Sequence, residues 1–148
     1  MRSPLESALD ALPHGPEFRF VDRLLEWVPG HSGVGAYRIP ETAPYLAGYF
    51  PNRPLMPGVL LVECGAQVAG VVAQHDPQQA RIPNLKLASI RAAKFLAPAR
   101  PGDLLHIHAV VRVRMGSLVQ ASIRICVGEL AVMEAELVLG GEEIGSTP

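Results

Sequence analysis

The stretch Gly48-Tyr49-Phe50-Pro51-Asn52-Arg53-Pro54-Leu55-Met56-Pro57-Gly58, which runs on into Val59-Leu60-Leu61-Val62-Glu63-Cys64-Gly65-Ala66-Gln67, decides the fold. A loop rich in proline leads into a long apolar segment, and Pro57 suits the start of a helix. The pattern predicts a helix over residues 58–75, about 27 Å long at 1.5 Å per residue. Because this helix is apolar on nearly every side, we expect it to be buried, with its small residues letting a sheet pack closely around it.

The segments that flank the helix have the alternating patterns of antiparallel strands. A short helix is expected over residues 7–12. The strands are predicted, in chain order, at residues 18–27, 33–39, 85–96, 105–115, 119–127 and 130–139. In the fourth of these, one face is polar and carries His106, His108, Arg112 and Arg114. The other face is apolar and comprises Leu105, Ile107, Ala109, Val111, Val113 and Met115. The sequence therefore predicts an α+β fold in which a six-stranded antiparallel sheet wraps around one helix.

Composition indicates a globular protein. The chain has 148 residues, of which 49% are hydrophobic and 18% charged, so we expect one domain over residues 1–148, with its core at 12–139 and a flexible tail at 140–148. A net charge of −1 argues against a nucleic-acid partner, and the apolar helix is too short and too interrupted for membrane insertion. We expect a cytoplasmic protein whose cysteines, Cys64 and Cys126, are buried thiols, with a nucleophilic Cys64 as the alternative.

Glu63 is a single carboxylate on an otherwise apolar helix. A buried acid costs free energy unless it has a partner or a chemical role, so two interpretations stay open: a catalytic acid, or an acid paired with an arginine such as Arg53. Gln67 lies one turn further along the same face and could orient Glu63. His106 and His108 have a spacing compatible with a metal, but no third ligand is evident, so we expect them to be exposed and predict no metal site and no cofactor.

Several spaced motifs resemble those of one family, the 3-hydroxyacyl-acyl-carrier-protein dehydratases of the FabZ type, which have the hotdog fold. The motifs are Leu12-Pro13-His14, Phe20-Val21-Asp22-Arg23, Gly48 to Gln67, Lys94-Phe95 with Pro98 and Pro101-Gly102-Asp103, and Glu134-Ala135-Glu136-Leu137. The resemblance covers about residues 12–139. It implies a dehydratase that converts 3-hydroxyacyl thioesters to trans-2-enoyl thioesters in fatty-acid or polyketide biosynthesis.

The resemblance implies roles for particular residues. Glu63 matches the helix acid, and the Gly58 N–H would polarise the thioester carbonyl. Where the family has a histidine base, this chain has Tyr49. A phenol titrates near 10, so roughly one in a thousand is ionised at pH 7. We therefore expect altered or weakened chemistry, with Tyr49 either donating a hydrogen bond to the substrate or filling the cavity. His14 matches a histidine near the start of the family, and no catalytic role is carried over to it.

The resemblance also implies a site for the acyl chain and partners for the protein. The acyl site would be lined by Phe50, Met56, Pro57, Gln67 and Leu96. A basic rim for an acidic acyl carrier protein would comprise Arg53, Arg91, Lys94 and Arg100, although ordinary surface charge explains each of these residues as well. We expect a homodimer, with Tyr49 of one subunit facing Glu63 of the other, and a hexamer of three dimers as a further option.

Two other functions stay open. Glu63 and the Gly58 amide could activate water in an acyl-thioester hydrolase, which needs no histidine. Alternatively, the chain could be a non-catalytic subunit that binds acyl chains or a carrier protein, or that completes a mixed site with an active homologue. Because Tyr49 stands where the family has its histidine base, and a fold does not determine a function, the hotdog fold is compatible with both of these functions.

Overall fold

A computed structural model describes residues 2–47 and 52–143. The strands are β1 (Arg23–Val28), β2 (Ser32–Arg38), β3 (Lys86–Phe95), β4 (Leu104–Met115), β5 (Leu118–Val127) and β6 (Leu130–Gly140). They form one antiparallel six-stranded sheet in the order β1-β2-β4-β5-β6-β3. The α-helices are α1 (Pro4–Ala8), α2 (Pro44–Ala47) and α3 (Gly58–Gln74). The long helix α3 packs on the inner face of the sheet, so the predicted α+β hotdog arrangement is confirmed.

Helix α3 begins directly after Pro57, as predicted, and is buried along most of its 17 residues. The helix and the sheet approach closely because glycines lie on both surfaces. A Cβ added to Gly65 of α3 would lie 2.5 Å from a methyl group of Ile123, and a Cβ on Gly33 of β2 would lie 2.7 Å from Val72. Both distances are shorter than carbon atoms can approach, so these contacts require glycine.

The predicted alternation of β4 is correct in its first half and wrong in its second. Leu105, Ile107 and Ala109 are buried against α3, but Val113 and Met115 are exposed. The pairing of β4 with β5 shifts between Val111 and Val113, which is a β-bulge. A bulge inserts one extra residue into a strand, and the residues beyond it then point to the opposite faces.

Arg114 is consequently turned toward the helix rather than toward the predicted polar face. Its guanidinium donates hydrogen bonds to the carbonyl oxygen of Ala73, at 2.9 Å, and to that of Ala80. Ala73 lies in the last turn of α3, where unpaired carbonyl groups carry the negative end of the helix dipole. The bulge therefore places the positively charged side chain of Arg114 at the C-terminus of α3.

The terminal segments differ from prediction in their bounds. Helix α1 begins at Pro4 because Ser3 and Glu6 form a reciprocal capping box, and a short 3-10 helix, Leu9–Ala11, follows it. Residues 16–18 form a second 3-10 turn, so β1 starts at Arg23. At the other end, β6 extends to Gly140, and the next two residues donate backbone hydrogen bonds to Ser117 and Pro83. The first residues of the predicted flexible tail, 140–142, are therefore connected to the rest of the fold by strand pairing and backbone hydrogen bonds. Residues 144–148 lie outside the described part of the chain.

Both cysteines are buried, as predicted. Burial, followed by the neighbouring Glu63 carboxylate, raises the pKa of the Cys64 thiol well above its ordinary range. A thiol held in its neutral form is a weak nucleophile, which disfavours the alternative of a nucleophilic Cys64. In the described ranges, no helix is both long enough and apolar enough to span a bilayer.

Candidate active site

Glu63 lies in the second turn of α3, where one of its carboxylate oxygens meets two polar side chains. Gln67 Nε2 donates a hydrogen bond to Glu63 Oε2 at 2.9 Å, as the spacing of one helical turn predicts. His14 Nε2 lies 3.5 Å from the same oxygen. The side chains of His14 and Glu63 are only 26% and 18% exposed. Within residues 2–47 and 52–143, the salt-bridge partner of Glu63 is therefore His14, and the alternative pairing with Arg53 is not observed.

Gln67 is fixed by the backbone of the segment that crosses α3. Its Nε2 also donates to the Phe18 carbonyl oxygen at 2.9 Å, while its Oε1 accepts a hydrogen bond from the Phe20 N–H at 2.9 Å. The side chain is buried. Because both amide protons and the amide oxygen are used, a rotated amide would lose these bonds, and only one orientation satisfies the network. Gln67 thereby holds Glu63 Oε2 in a defined position.

His14 reaches Glu63 because the Leu12-Pro13-His14 segment is anchored in the core through Leu12. The imidazole packs on the ring of Phe18, with centroids 5.8 Å apart and planes 32° apart. Its Nδ1 atom is buried and has no hydrogen-bond partner among the described residues. The ring is thus oriented by packing and by its Nε2 contact. Sequence reasoning assigned no role to His14, and the match to the family's opening motif was the one signal that pointed to it.

A small cavity lies beside this cluster. It has a volume of about 70 Å³ and is lined by His14, Glu63 and Gln67 together with Leu87 of β3 and Leu139 of β6. Since water occupies about 30 Å³ in the liquid, this space accommodates roughly two water molecules. The polar cluster therefore faces a pocket large enough for a hydroxyl group or a departing water.

A much larger apolar cavity lies at the N-terminus of α3. Its volume is about 890 Å³, and its lining includes Met56, Pro57, Gly58, Phe95 and Leu96. Three residues predicted to line the acyl site thus lie together here, whereas Gln67 lies at the small cavity. Gly58 is the first residue of α3, where an N–H has no acceptor within the helix. A Cβ on Gly58 would lie 2.9 Å from the Phe95 ring, so the close packing of Phe95 on the start of α3 requires glycine at this position.

Tyr49 and Phe50 lie outside the described residues. The predicted approach of Tyr49 to Glu63 and the predicted contact of Phe50 with an acyl chain stay predictions. In the described residues that precede them, the hydroxyl groups of Tyr45 in α2 and Tyr37 in β2 lie 3.0 Å apart. Phe20 packs against both tyrosine rings at centroid distances of 5.8 Å, which links α2 to the segment that holds Gln67.

The four residues predicted to form a basic rim do not lie together in this chain. Arg53 and Arg100 line one recess of about 320 Å³, which shares Leu55 and Pro98 with the large apolar cavity. Lys94 instead lines a cleft on the outer face of the sheet with Arg112 and Arg124. Arg91 is exposed on β3, at the shift in register between Ile90 and Ala92. Only Arg53 and Arg100 are therefore close to the candidate acyl site.

The outer face of the sheet also carries the two histidines of β4. His106 is half-buried and His108 is exposed. Partial burial, followed by the charges of His106 and Arg124, lowers the pKa of His108. In the part of the chain that the structure describes, no three His, Cys, Asp or Glu side chains come together in an arrangement that could hold a metal ion.

Comparison with known protein families matches residues 12–136 to the FabA-like domain. The chain belongs to the FabA-like family. A curated relative, 3-hydroxyacyl-[acyl-carrier-protein] dehydratase FabZ from Rickettsia akari, is 39% identical over 103 residues, which cover 70% of this chain and 71% of the relative. The protein of the same name from Rickettsia rickettsii (strain Sheila Smith) is 36% identical over 124 residues, covering 83% and 86%.

The solved structures agree on the architecture. A chain of the dehydratase heterocomplex ApeI:P from Xenorhabdus doucetiae superimposes with a TM-score of 0.77 at 16% identity, covering 97% of this chain and 94% of that one. At that identity the likeness shows the fold alone. The stretch that matches the FabA-like domain includes His14, Gly58, Glu63 and Gln67, so the polar cluster and the start of α3 belong to the part shared with the family.

Proposed function

We propose that this protein is a 3-hydroxyacyl-acyl-carrier-protein dehydratase, which removes water from a 3-hydroxyacyl thioester to give the trans-2-enoyl thioester. The curated relatives carry this name. The observation that carries the proposal is Glu63, a shielded carboxyl group that Gln67 holds at 2.9 Å beside a cavity the size of two waters. A leaving hydroxyl needs such a positioned acid.

The chemistry assigns separate tasks to the two ends of the site. The Gly58 N–H, at the positive end of the α3 dipole, polarises the thioester carbonyl and stabilises the enolate that forms when C2 loses a proton. Protonated Glu63 donates its proton to the C3 hydroxyl, which leaves as water. The apolar cavity at Met56, Pro57 and Leu96 takes the acyl chain, and its volume of about 890 Å³ lies within the range typical of ligand sites.

The identity of residue 49 makes the chemistry differ from that of a family member with histidine there. At neutral pH a phenol is almost entirely protonated and is a poor acceptor for the C2 proton. Tyr49 suits a hydrogen bond to the substrate instead. Phe50, next to it, would add apolar surface for the acyl chain. We therefore propose that dehydration in this chain relies on a base other than Tyr49 or runs more slowly.

The proposed partner is an acyl carrier protein, and the proposed assembly is a homodimer. Arg53 and Arg100 line a recess next to the apolar cavity, where cations suit an acidic carrier and the phosphate of its prosthetic arm. Strand β3 is an edge strand of ten residues that exposes apolar side chains, which favours pairing with a second copy.

The direct test is turnover of a 3-hydroxyacyl carrier protein, followed by mass spectrometry of the enoyl product. We expect the natural chain to form the trans-2-enoyl thioester. Glu63→Gln keeps the size of the side chain but has no acidic proton, so kcat should fall by about 10² to 10⁴. The matched control is Glu129→Gln in the exposed β5–β6 turn, which should leave kcat unchanged within a factor of two.

Two outcomes would contradict the proposal. One is an inactive natural chain that gains turnover in Tyr49→His, because the natural protein would then be non-catalytic. The other is release of a free thiol from acyl thioesters, lost in Glu63→Gln, without any enoyl product. That second result would identify a hydrolase that uses Glu63 and Gly58.

A further inference from the structure

The His14–Glu63 contact forms within one chain. The two side chains come from segments 49 positions apart in the sequence and meet because the stretch around residues 14–20 crosses α3. Only one oxygen of Glu63, Oε2, meets both His14 and Gln67. Both His14 and Glu63 line the small cavity, so each can reach a group bound there.

His14 is the imidazole that the structure places beside Glu63. Its Nε2 atom lies 3.5 Å from Glu63 Oε2, and the residue lines the small cavity. Its Nδ1 atom is buried and has no hydrogen-bond partner among the described residues. The ring is held by its stack on Phe18. An imidazole accepts and releases protons near neutral pH, which is the property that a phenol at position 49 lacks.

We propose that His14 is the catalytic base of this site, so that one protomer supplies both the acid and the base. The inference rests on the dehydratase function proposed above. It replaces the expected arrangement, in which residue 49 of one subunit acts with Glu63 of the other.

The step balances without any further reactant. His14 Nε2 takes the proton from C2, and the electron pair of that C–H bond forms the enolate, which then supplies the electrons of the C2=C3 double bond. The C3–O bond breaks as Glu63 gives its proton to the hydroxyl, and water leaves. The step leaves an imidazolium on His14 and a carboxylate on Glu63, and transfer of the proton from Nε2 to Oε2, atoms that lie 3.5 Å apart, restores both groups.

The first experiment replaces the imidazole. His14→Gln should lower kcat/KM for a 3-hydroxyacyl carrier protein by about 10² to 10⁴, the usual effect of losing a general base. His31→Gln, at an exposed turn, is the matched control and should change kcat/KM by less than twofold. In a His14→Gly variant, added imidazole should restore turnover in proportion to its concentration. A purely structural role for His14 would give no such rescue.

The second experiment asks whether acid and base belong to one subunit. His14→Gln and Glu63→Gln chains are co-expressed with different tags and purified as the mixed oligomer. With both groups from one protomer, every site lacks one of them, so activity should stay at the level of the single variants. A mixed oligomer of wild-type and His14→Gln chains is the control and should retain about half of the wild-type activity.

The outcomes separate this inference from the proposed function. Undiminished turnover in His14→Gln, a loss that imidazole cannot rescue in a folded His14→Gly chain, or activity regained in the mixed oligomer would each overturn the role of His14 and leave the dehydratase function standing. A wild-type chain without any turnover would overturn the proposed function, and the role of His14 with it. Folding of each variant is checked by circular dichroism.

Discussion

Tyr37 and Tyr45 show how burial sets the protonation of individual residues near the candidate site. Burial, followed by the hydrogen bond between the Tyr37 and Tyr45 hydroxyl groups, raises the pKa of Tyr37 well above its ordinary range. Burial also raises the pKa of Tyr45. Both phenols therefore keep their protons at a pH at which the unfolded chain loses them. The paired hydroxyl groups in turn connect β2 to α2.

This difference in proton binding predicts that the folded state becomes less stable in alkali. Above about pH 10 the unfolded state binds fewer protons than the folded state, so the free energy of unfolding falls as pH rises. One such group contributes a slope of about 1.4 kcal/mol per pH unit. Tyr37→Phe removes the group and should reduce the slope by about that amount, measured by urea unfolding between pH 7 and pH 11.

Burial also raises the pKa of Cys64, so this thiol likewise makes the free energy of unfolding fall as pH rises. Because Cys64 is unchanged in Tyr37→Phe, part of the slope should remain. Between pH 7 and pH 8 neither phenol ionises in either state, and wild type and Tyr37→Phe should have equal slopes there, which serves as the internal control. An unchanged slope above pH 10 in Tyr37→Phe would contradict the prediction.

At the scale of elements, the contact between α3 and the sheet depends on where glycines lie. Gly65 faces Ile123 of β5 so closely that a methyl group would overlap its side chain, with atoms 2.5 Å apart. Gly70, five residues later on the same helix, has its nearest such neighbour, Leu139, at 3.9 Å, an ordinary contact distance. The same substitution should therefore have opposite effects at the two positions.

Gly65→Ala should lower the free energy of unfolding by about 1 to 3 kcal/mol, the usual cost of overpacking a core. Gly70→Ala should raise it by roughly 0.5 to 1 kcal/mol, because alanine favours the helix more than glycine does. Urea unfolding monitored by circular dichroism measures both values. If Gly65→Ala were as stable as Gly70→Ala, the close packing described for α3 would be wrong.

Helices and strands could be predicted from the sequence where the spacing of apolar residues stays regular along the whole element. Helix α3 and the first half of β4 keep a regular pattern of apolar residues, because each buries one continuous surface. The bulge between Val111 and Val113 breaks the register although both residues are apolar, so hydrophobicity alone could not reveal it. The position of Arg114 at the end of α3 was missed for that reason.

The site was predictable only in part, for a related reason. Glu63 and Gln67 lie on one helix face, and their contact follows from helical spacing. The contact of His14 with Glu63 depends instead on how an irregular segment crosses α3, and no local period encodes such a crossing. The resemblance pointed to His14 without giving it a task, so its proximity to Glu63 had to come from the fold.

At the scale of the whole molecule, the two edges of the sheet differ. Strand β1 has six residues, contains a bulge in its pairing with β2 and is packed by α1. Strand β3 has ten residues and lies at the opposite edge. Ile90 and Phe95 stand opposite the buried Leu137 and Met133 and so belong to the inner face, yet they are 49% and 54% exposed. Long apolar edges are unusual unless another chain covers them.

A homodimer that pairs β3 with its symmetry mate would cover these side chains and close the large apolar cavity next to Phe95. We expect the wild-type chain to have twice its monomer mass in sedimentation equilibrium. Ile90→Glu places a charge in that interface and should shift the dimer toward monomer by at least tenfold in dissociation constant, since an unpaired buried charge costs several kcal/mol. Val28→Glu, at an exposed apolar position on β1, is the matched control and should leave the dimer intact. A monomeric wild-type chain, or a dimer that survives Ile90→Glu but dissociates in Val28→Glu, would exclude β3 as the pairing edge.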